Sequence, residues 1–170
     1  MIPRPESSEA ASYYFTYIDQ VEGNDPLAVS SSQLDELVPW LSQISEETSL
    51  HRYAAGKWSV RQLLNHITDT ERAFAFRALW FARGFDAALP GYDQEIAAAG
   101  ASADAFPWSA HIEDFRAVRL STISLFANLP SDAWDRRGIA SGNPFTVRAL
   151  AYIIAGHVAH HVRILRERYL

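Results

Sequence analysis

The sequence predicts an all-α protein, a bundle of long helices joined by long connections, on three observations. Apolar residues recur at helical spacing over four extended stretches. Ser, Thr or Pro start signals precede them, and no stretch alternates with strand periodicity over a useful length. With 170 residues, 48% hydrophobic and 21% charged, the composition is that of one globular domain over 1–170 with a core of its own.

Residues 1–24 combine Pro3, Pro5 and a polar run with the aromatic cluster Tyr13, Tyr14, Phe15 and Tyr17. That cluster is too apolar for a free tail, so the segment is expected to pack on the body, with a short helix near 7–21. Asn24-Asp25-Pro26 marks a turn and a helix start, since proline is tolerated in a first turn where its missing N–H costs nothing. The helix that follows runs to about Ser45 on a face of Leu34, Leu37, Val38, Leu41 and Ile44. Pro39 conflicts with it and predicts a kink or a late start.

After a loop over Tyr53–Trp58, Ser59-Val60-Arg61-Gln62 reads as a capping box. The helix it opens, Val60 to about Arg83, holds no Pro or Gly. It carries apolar residues on more than one stripe, so it should be largely buried, and Gly84 should end it. Residues 84–108 form a long irregular connection with a short helix at Gln94–Ala99, a stretch suited to a lid or pocket wall. Ser109 is read as the cap of a helix over 110–128, with Phe115, Val118, Ile123 and Phe126 inward and Pro130 as the stop. Ser131–Trp134 reads as an extra turn, Gly138–Pro144 as a loop, and Thr146 as the cap of a last helix from Val147 to about Tyr169.

Charge and composition exclude several classes of function. The formal charge is −5 and the 15 basic residues are scattered among acids, so no footprint for nucleic acid or anionic lipid exists. No apolar run approaches the roughly 20 residues of a membrane span, and the first residues carry no signal-peptide core. A soluble, cytoplasmic protein acting on a small-molecule substrate is the expectation. Cysteine is absent, which excludes disulfides, thiolate metal ligands and a cysteine nucleophile in this chain.

The chemistry lies in histidine. His157 and His161 stand four apart on one helix, hence about 40° apart in direction and one turn in height, so their rings project side by side. The helix around them is apolar, and imidazoles near a core need partners. His66, mid-helix on a similarly apolar element, is the best third member. Three protein ligands with a remaining position for water or substrate is a common plan for catalytic zinc. Imidazoles suit zinc, nickel, iron or copper rather than magnesium or calcium. Spacing alone leaves ordinary core-edge histidines as the competing reading.

The residues Gly56-Lys57-Trp58-Ser59-Val60, His66-Ile67-Thr68-Asp69-Thr70-Glu71-Arg72 and Gly156-His157-x-x-His160-His161 together resemble the DinB superfamily of damage-inducible-protein-like helical bundles. The resemblance extends to Ala82-Arg83-Gly84 and Glu167-Arg168-Tyr169 and covers nearly the whole chain. It implies a four-helix bundle in which His66, His157 and His161 hold a divalent metal, nickel or zinc.

Asp69, three residues after His66, is a candidate catalytic or supporting acceptor for a ligand's ring N–H. Pairing with Arg72 or Arg61 is the equal alternative. Glu71 points well off the His66 face and is expected to meet an arginine of another helix, although the resemblance marks it as a family position near the site. His160 is read as a neighbour supporting the ligands or as packing, and His51 and His111 as surface residues. Trp58, Trp80, Trp108 and Tyr152 are expected in the core, Trp58 nearest the site. Arg72, Arg77 and Arg148 could serve an anionic substrate or a thiol cofactor's carboxylate, against the commoner reading of surface ion pairs.

The resemblance implies a metal-dependent enzyme that activates a low-molecular-weight thiol, as an S-transferase does. A metal-dependent hydrolase and a non-enzymatic, stress-related metal-binding bundle, in the latter case as a homodimer, are the alternatives.

Overall fold

A computed structural model describes residues 2–170. Four long helices form the body, α2 (Pro26–Leu41), α3 (Val60–Ala82), α5 (Trp108–Ala127) and α6 (Val147–Arg168), with two short ones, α1 (Phe15–Ile18) and α4 (Gln94–Ala101). Central α3 packs on both α5 and α6, α2 packs on the same two, and α1 lies against α6. Two strands, β1 (Arg137–Ala140) and β2 (Asn143–Thr146), make an antiparallel hairpin in the register Arg137↔Thr146 and Ala140↔Asn143.

Local chemistry accounts for most helix ends. Asp25 accepts from the amides of Leu27 and Ala28 at 3.1 Å each, the Ser59–Gln62 capping box is present in both directions, and Thr146 accepts from Ala149. Gly84 has φ +81° just past α3, the left-handed conformation that glycine adopts without steric cost.

Four elements differ from the sequence reading, each for a tertiary reason. The expected helix over 7–21 contracts to α1 and one preceding 3₁₀ turn, because Glu9 and Ala10 run alongside β2. There Thr146 N–H donates to the Glu9 carbonyl at 3.1 Å and Ala10 bridges Phe145. α2 passes through Pro39 and stops two residues later at Leu41, short of Ser45. So near the end, the bond proline cannot donate is lost in a turn that is already finishing. Ser109 is inside α5 and caps nothing; the Trp108 amide instead donates to the Glu46 carboxylate at 3.0 Å, from a distant loop. The predicted Gly138–Pro144 loop is the hairpin, whose turn residues Ser141 and Gly142 have φ +53° and +73°, both positive as a tight two-residue turn demands. Four-residue strands are too short for their alternation to register in the sequence.

The core has two apolar clusters. One joins Phe74 and Phe81 of α3 to Phe145, Tyr152 and Ile153; the other joins Leu63, Leu64 and Ile67 of α3 to Leu37, Leu41, Trp108, Phe115 and Leu165. A buried polar layer lies between them in the order of residues along each helix: His66, Thr70 and Glu71 on α3, Arg119 and Thr122 on α5, His157 on α6. This layer is where the fold departs from an oily bundle, and it contains the site.

Candidate metal centre

His66 and His157 are buried, 5% and 4% exposed, and His161 is half-buried one turn beyond His157 on α6. One ligand-capable nitrogen from each of the three rings lies within 4.8 Å of the other two. Nε2 of His66 stands 3.2 Å from Nε2 of His157. Zinc–nitrogen bonds of about 2.0–2.1 Å place two ligands of a tetrahedral ion about 3.3 Å apart, so this pair already has the spacing of one edge of such a site. Nδ1 of His161 is buried and has no hydrogen-bond partner, a lone pair or N–H that a purely structural core would satisfy.

The electrostatics agree with a cation. Burial lowers the His66 imidazole to about 4. Burial, then the charges of His66 and His160, lowers His161 to about 3. His157 is held well below its ordinary value, by burial first and then by His161 and His66. All three rings are therefore neutral at neutral pH and keep a nitrogen lone pair free for a metal. No Asp or Glu joins the cluster among the described residues, so an ion here keeps its double charge largely uncompensated.

Thr70, one turn after His66, was missed by the sequence reading although the four-residue spacing placed it on the same face. Its Oγ1 is 3.3 Å from Nδ1 of His66. In the tautomer with Nδ1 protonated the hydroxyl accepts that proton and Nε2 is left free toward His157, the form a metal ligand needs. Trp58, half-buried, holds the other side of the His66 ring at a centroid distance of 4.9 Å. Tyr17 of α1 sets its ring edge-on to His157 at 5.2 Å. Tyr17 reaches the site because Gly156 permits close approach of α1: a Cβ there would lie 2.0 Å from the Tyr17 carbonyl oxygen.

The other candidates fall outside the cluster. Asp69 donates no support to an imidazole; its carboxylate accepts from Arg72 at 2.9 Å, and Arg72 also reaches Asp114 at 2.5 Å. Glu71 is buried and lies 2.8 Å from Nη2 of Arg119 on α5, the cross-helix arginine expected of it, and it hydrogen-bonds none of the three rings. His160 stands half-buried at the edge, its Nδ1 3.2 Å from Gln20 Nε2 and its ring 5.0 Å from that of His161. His51 is exposed as expected. His111 is a correction: it is 7% exposed, with Nε2 donating to the Ala103 carbonyl at 2.9 Å, because the 84–107 connection folds back over the start of α5. Tyr152 and Trp108 are core residues, while Trp80 is half-buried and stacks on Phe85 at 4.0 Å.

Two clefts reach the histidines. One, of about 190 Å³, is lined by His66 and His157 together with Thr70, Arg77 and three tyrosines of the N-terminal segment. The other, of about 290 Å³, is lined by His161, Trp58, Tyr169 and Glu95. Gln94, at the start of α4, borders both, so the long connection does serve as a wall of the site.

A sequence profile of the DinB superfamily matches residues 31–165, a span that contains all three histidines. The chain belongs to the DinB superfamily. Solved structures carry the same fold. YfiT from Bacillus subtilis, described as a probable metal-dependent hydrolase with an unusual four-helix bundle topology, superposes with a TM-score of 0.70 at 15% identity, over 98% of this chain and 91% of its own. A mycothiol-dependent maleylpyruvate isomerase superposes with a TM-score of 0.67 at 13% identity over 85% of this chain. The match covers 61% of the isomerase, so this DinB-like chain corresponds to about three fifths of that enzyme. At these identities the likeness is one of fold. No curated protein matches the sequence significantly. Among the described residues of this DinB protein, no helix is long and apolar enough to cross a membrane.

Proposed function

We propose that this DinB-superfamily chain is a metal-dependent enzyme in which His66, His157 and His161 hold one divalent ion, zinc or nickel, and in which a low-molecular-weight thiol is the nucleophile. The observation that carries the reading is the meeting of three neutral imidazoles, with the unpartnered Nδ1 of His161, at the junction of two clefts. When bound, the ion supplies a Lewis acid that acidifies a coordinated thiol or water. The chain's residues do the rest. Thr70 holds His66 in one tautomer, Trp58 and Tyr17 fix ring orientation, and two clefts give reactants access to the rings. No carboxylate lines the cleft of His66 and His157 among the described residues. A thiol suits such a site, because once acidified it needs no protein base.

Hydrolysis is the second reading, favoured by Glu95 in the His161 cleft, where a carboxylate could take a proton from water. The description of YfiT as a probable hydrolase points the same way.

Metal analysis of untagged protein tests the shared premise. About one ion per chain is expected, with loss in His157→Ala; an ion-free, folded wild-type protein would sink both readings. Metal-dependent turnover of an electrophile panel with bacillithiol, mycothiol, glutathione or coenzyme A supports thiol transfer. Thiol-independent ester or amide hydrolysis that collapses in Glu95→Gln supports the second reading.

A further inference from the structure

Arg77 is the exception among the buried arginines Arg61, Arg77 and Arg119, the other two of which hold Glu46 and Glu71. It is 5% exposed, yet no Asp or Glu among the described residues pairs with it, whereas Arg72, Arg119 and Arg148 each hold a carboxylate. Nη2 donates to the Ser141 hydroxyl at 2.9 Å and reaches the Pro90 carbonyl at 3.4 Å. The guanidinium otherwise rests against the Phe74 and Phe145 rings, at 5.2 and 5.9 Å from their centroids. It lines the same cleft as His66 and His157, and that cleft contains no acidic residue among the described ones. A buried cation without a counter-ion is costly, and one that faces a cleft is a candidate to receive an anion from outside.

Helix geometry explains how Arg77 and His66 share a wall. They are eleven residues apart on α3, three turns, which returns the side chain to within about 20° of the same direction. Thr70, Ala73 and Phe74 fill the stripe between them. Helical side chains lean toward the N-terminus, so the arginine arm reaches back along the cleft and leaves its head on the order of 10 Å from the histidines. Around that head stand the Tyr14 hydroxyl and Ser141. Burial pushes the Tyr14 phenol up despite the nearby guanidinium, so it remains a neutral donor.

We propose that this cleft binds a carboxylate, with Arg77 as its anchor, Tyr14 and Ser141 beside it, and the reacting end of the ligand at the His66–His157 edge. One guanidinium fork flanked by neutral hydroxyls matches a planar monoanion; a phosphate dianion would call for more positive charge. The inference rests on the proposed function for what happens at the histidine end, but anion recognition itself does not require the ion. The carboxylate belongs either to the substrate or to a thiol cosubstrate.

Two probe pairs separate these sources in titrations of the full chain followed by NMR. Benzoate against benzamide, on metal-free protein, tests a thiol-free carboxylate. N-acetylcysteine against N-acetylcysteamine, on zinc-loaded protein, tests the same thiol with and without one. At least a tenfold preference for the carboxylate in one pair is expected, and it names the source. Arg77→Met abolishes that preference, Arg77→Lys retains part of it, and Tyr14→Phe lowers it about threefold. If Arg77→Met does not fold, the Lys and Phe variants decide. Equal binding within both pairs, or a preference unchanged in Arg77→Lys and Tyr14→Phe, overturns the proposal. A benzoate preference in a protein that never takes up metal leaves this inference standing and removes the functional one.

Discussion

The polar layer across the bundle has two sides that solve burial differently. On the α5 side, Glu71 and Arg119, 2% and 0% exposed, face each other at 2.8 Å. Arg119 reaches on to Gln33 of α2 at 3.3 Å, and Gln33 donates to the Ala155 carbonyl of α6 at 2.9 Å. Burial pushes the Glu71 carboxyl up while Arg119 and Thr122 pull it down. On the α6 side, buried His66 and His157 and half-buried His161 meet without any charge among them. The first side is closed in charge: Glu71 and Arg119 neutralise each other, although both Glu71 oxygens and Nε and Nη2 of Arg119 lack a well-aligned hydrogen bond, and the chain of contacts ties α3, α5, α2 and α6 together. The second is open, since its groups are neutral rather than paired and line clefts that neither Glu71 nor Arg119 reaches. Burial of polarity is therefore not itself a sign of function. The informative feature is buried polarity that has no counter-charge and faces a cleft.

That contrast is broken most severely by removing half of the closed side. Arg119→Met leaves the Glu71 carboxylate buried alone, and a loss of about 3–5 kcal/mol of stability is expected from urea unfolding. The double variant Glu71→Leu/Arg119→Met should recover much of it, because two apolar groups carry no desolvation cost. Metal stoichiometry should survive in the double variant. If it falls with the pair, the two sides are one unit and the division drawn between them is wrong.

The same division governs what could be read from the sequence. The helices α3 and α6 were legible because their signals are local: the Ser59–Gln62 box, the Thr146 cap and the glycine after α3 act within a few residues. Side-by-side projection of His157 and His161 follows from helix geometry, and His66 follows from its place mid-helix on an apolar element, a choice the superfamily motifs strengthen. What escaped notice depends on partners far along the chain. Glu46 caps α5 from a preceding loop, Ala10 and Leu89 flank the hairpin, and the return of the 84–107 connection buries His111. Arg77 could be named from the sequence as one of three candidate arginines, but only the fold reveals that Arg72 and Arg148 are paired and Arg77 is not.

Thr70 sharpens the open side. Thr70→Val keeps the shape and removes the oxygen that accepts the Nδ1 proton of His66. The ring then loses its preferred tautomer, and divalent-metal affinity should fall by about 10- to 100-fold in competition with a chromogenic chelator. Global stability should change far less than in Arg119→Met, since the valine methyl group packs where the hydroxyl stood. An unchanged affinity would mean that packing by Trp58 alone orients His66.

The smallest effect is expected on the exposed face of α3, where Asp69 and Arg72 repeat the chemistry of Glu71 and Arg119 in solvent. Asp69 accepts from Arg72 at 2.9 Å with 28% of its side chain exposed, and Arg72 is 46% exposed and shared with Asp114. Water screens such a pair, and Arg72 keeps a second carboxylate when Asp69 is removed. Asp69→Ala should therefore cost no more than about 0.5 kcal/mol. The same acid–arginine pairing would then differ several-fold in its cost of disruption according to burial alone. Asp69 was also the candidate to support a metal ligand, and metal titration of this variant decides between the two roles. Affinity within about twofold of wild type fits the ion pair, because its carboxylate is committed to Arg72. A loss approaching that of Thr70→Val would mean that Asp69 releases Arg72 and turns toward the histidines when the ion binds.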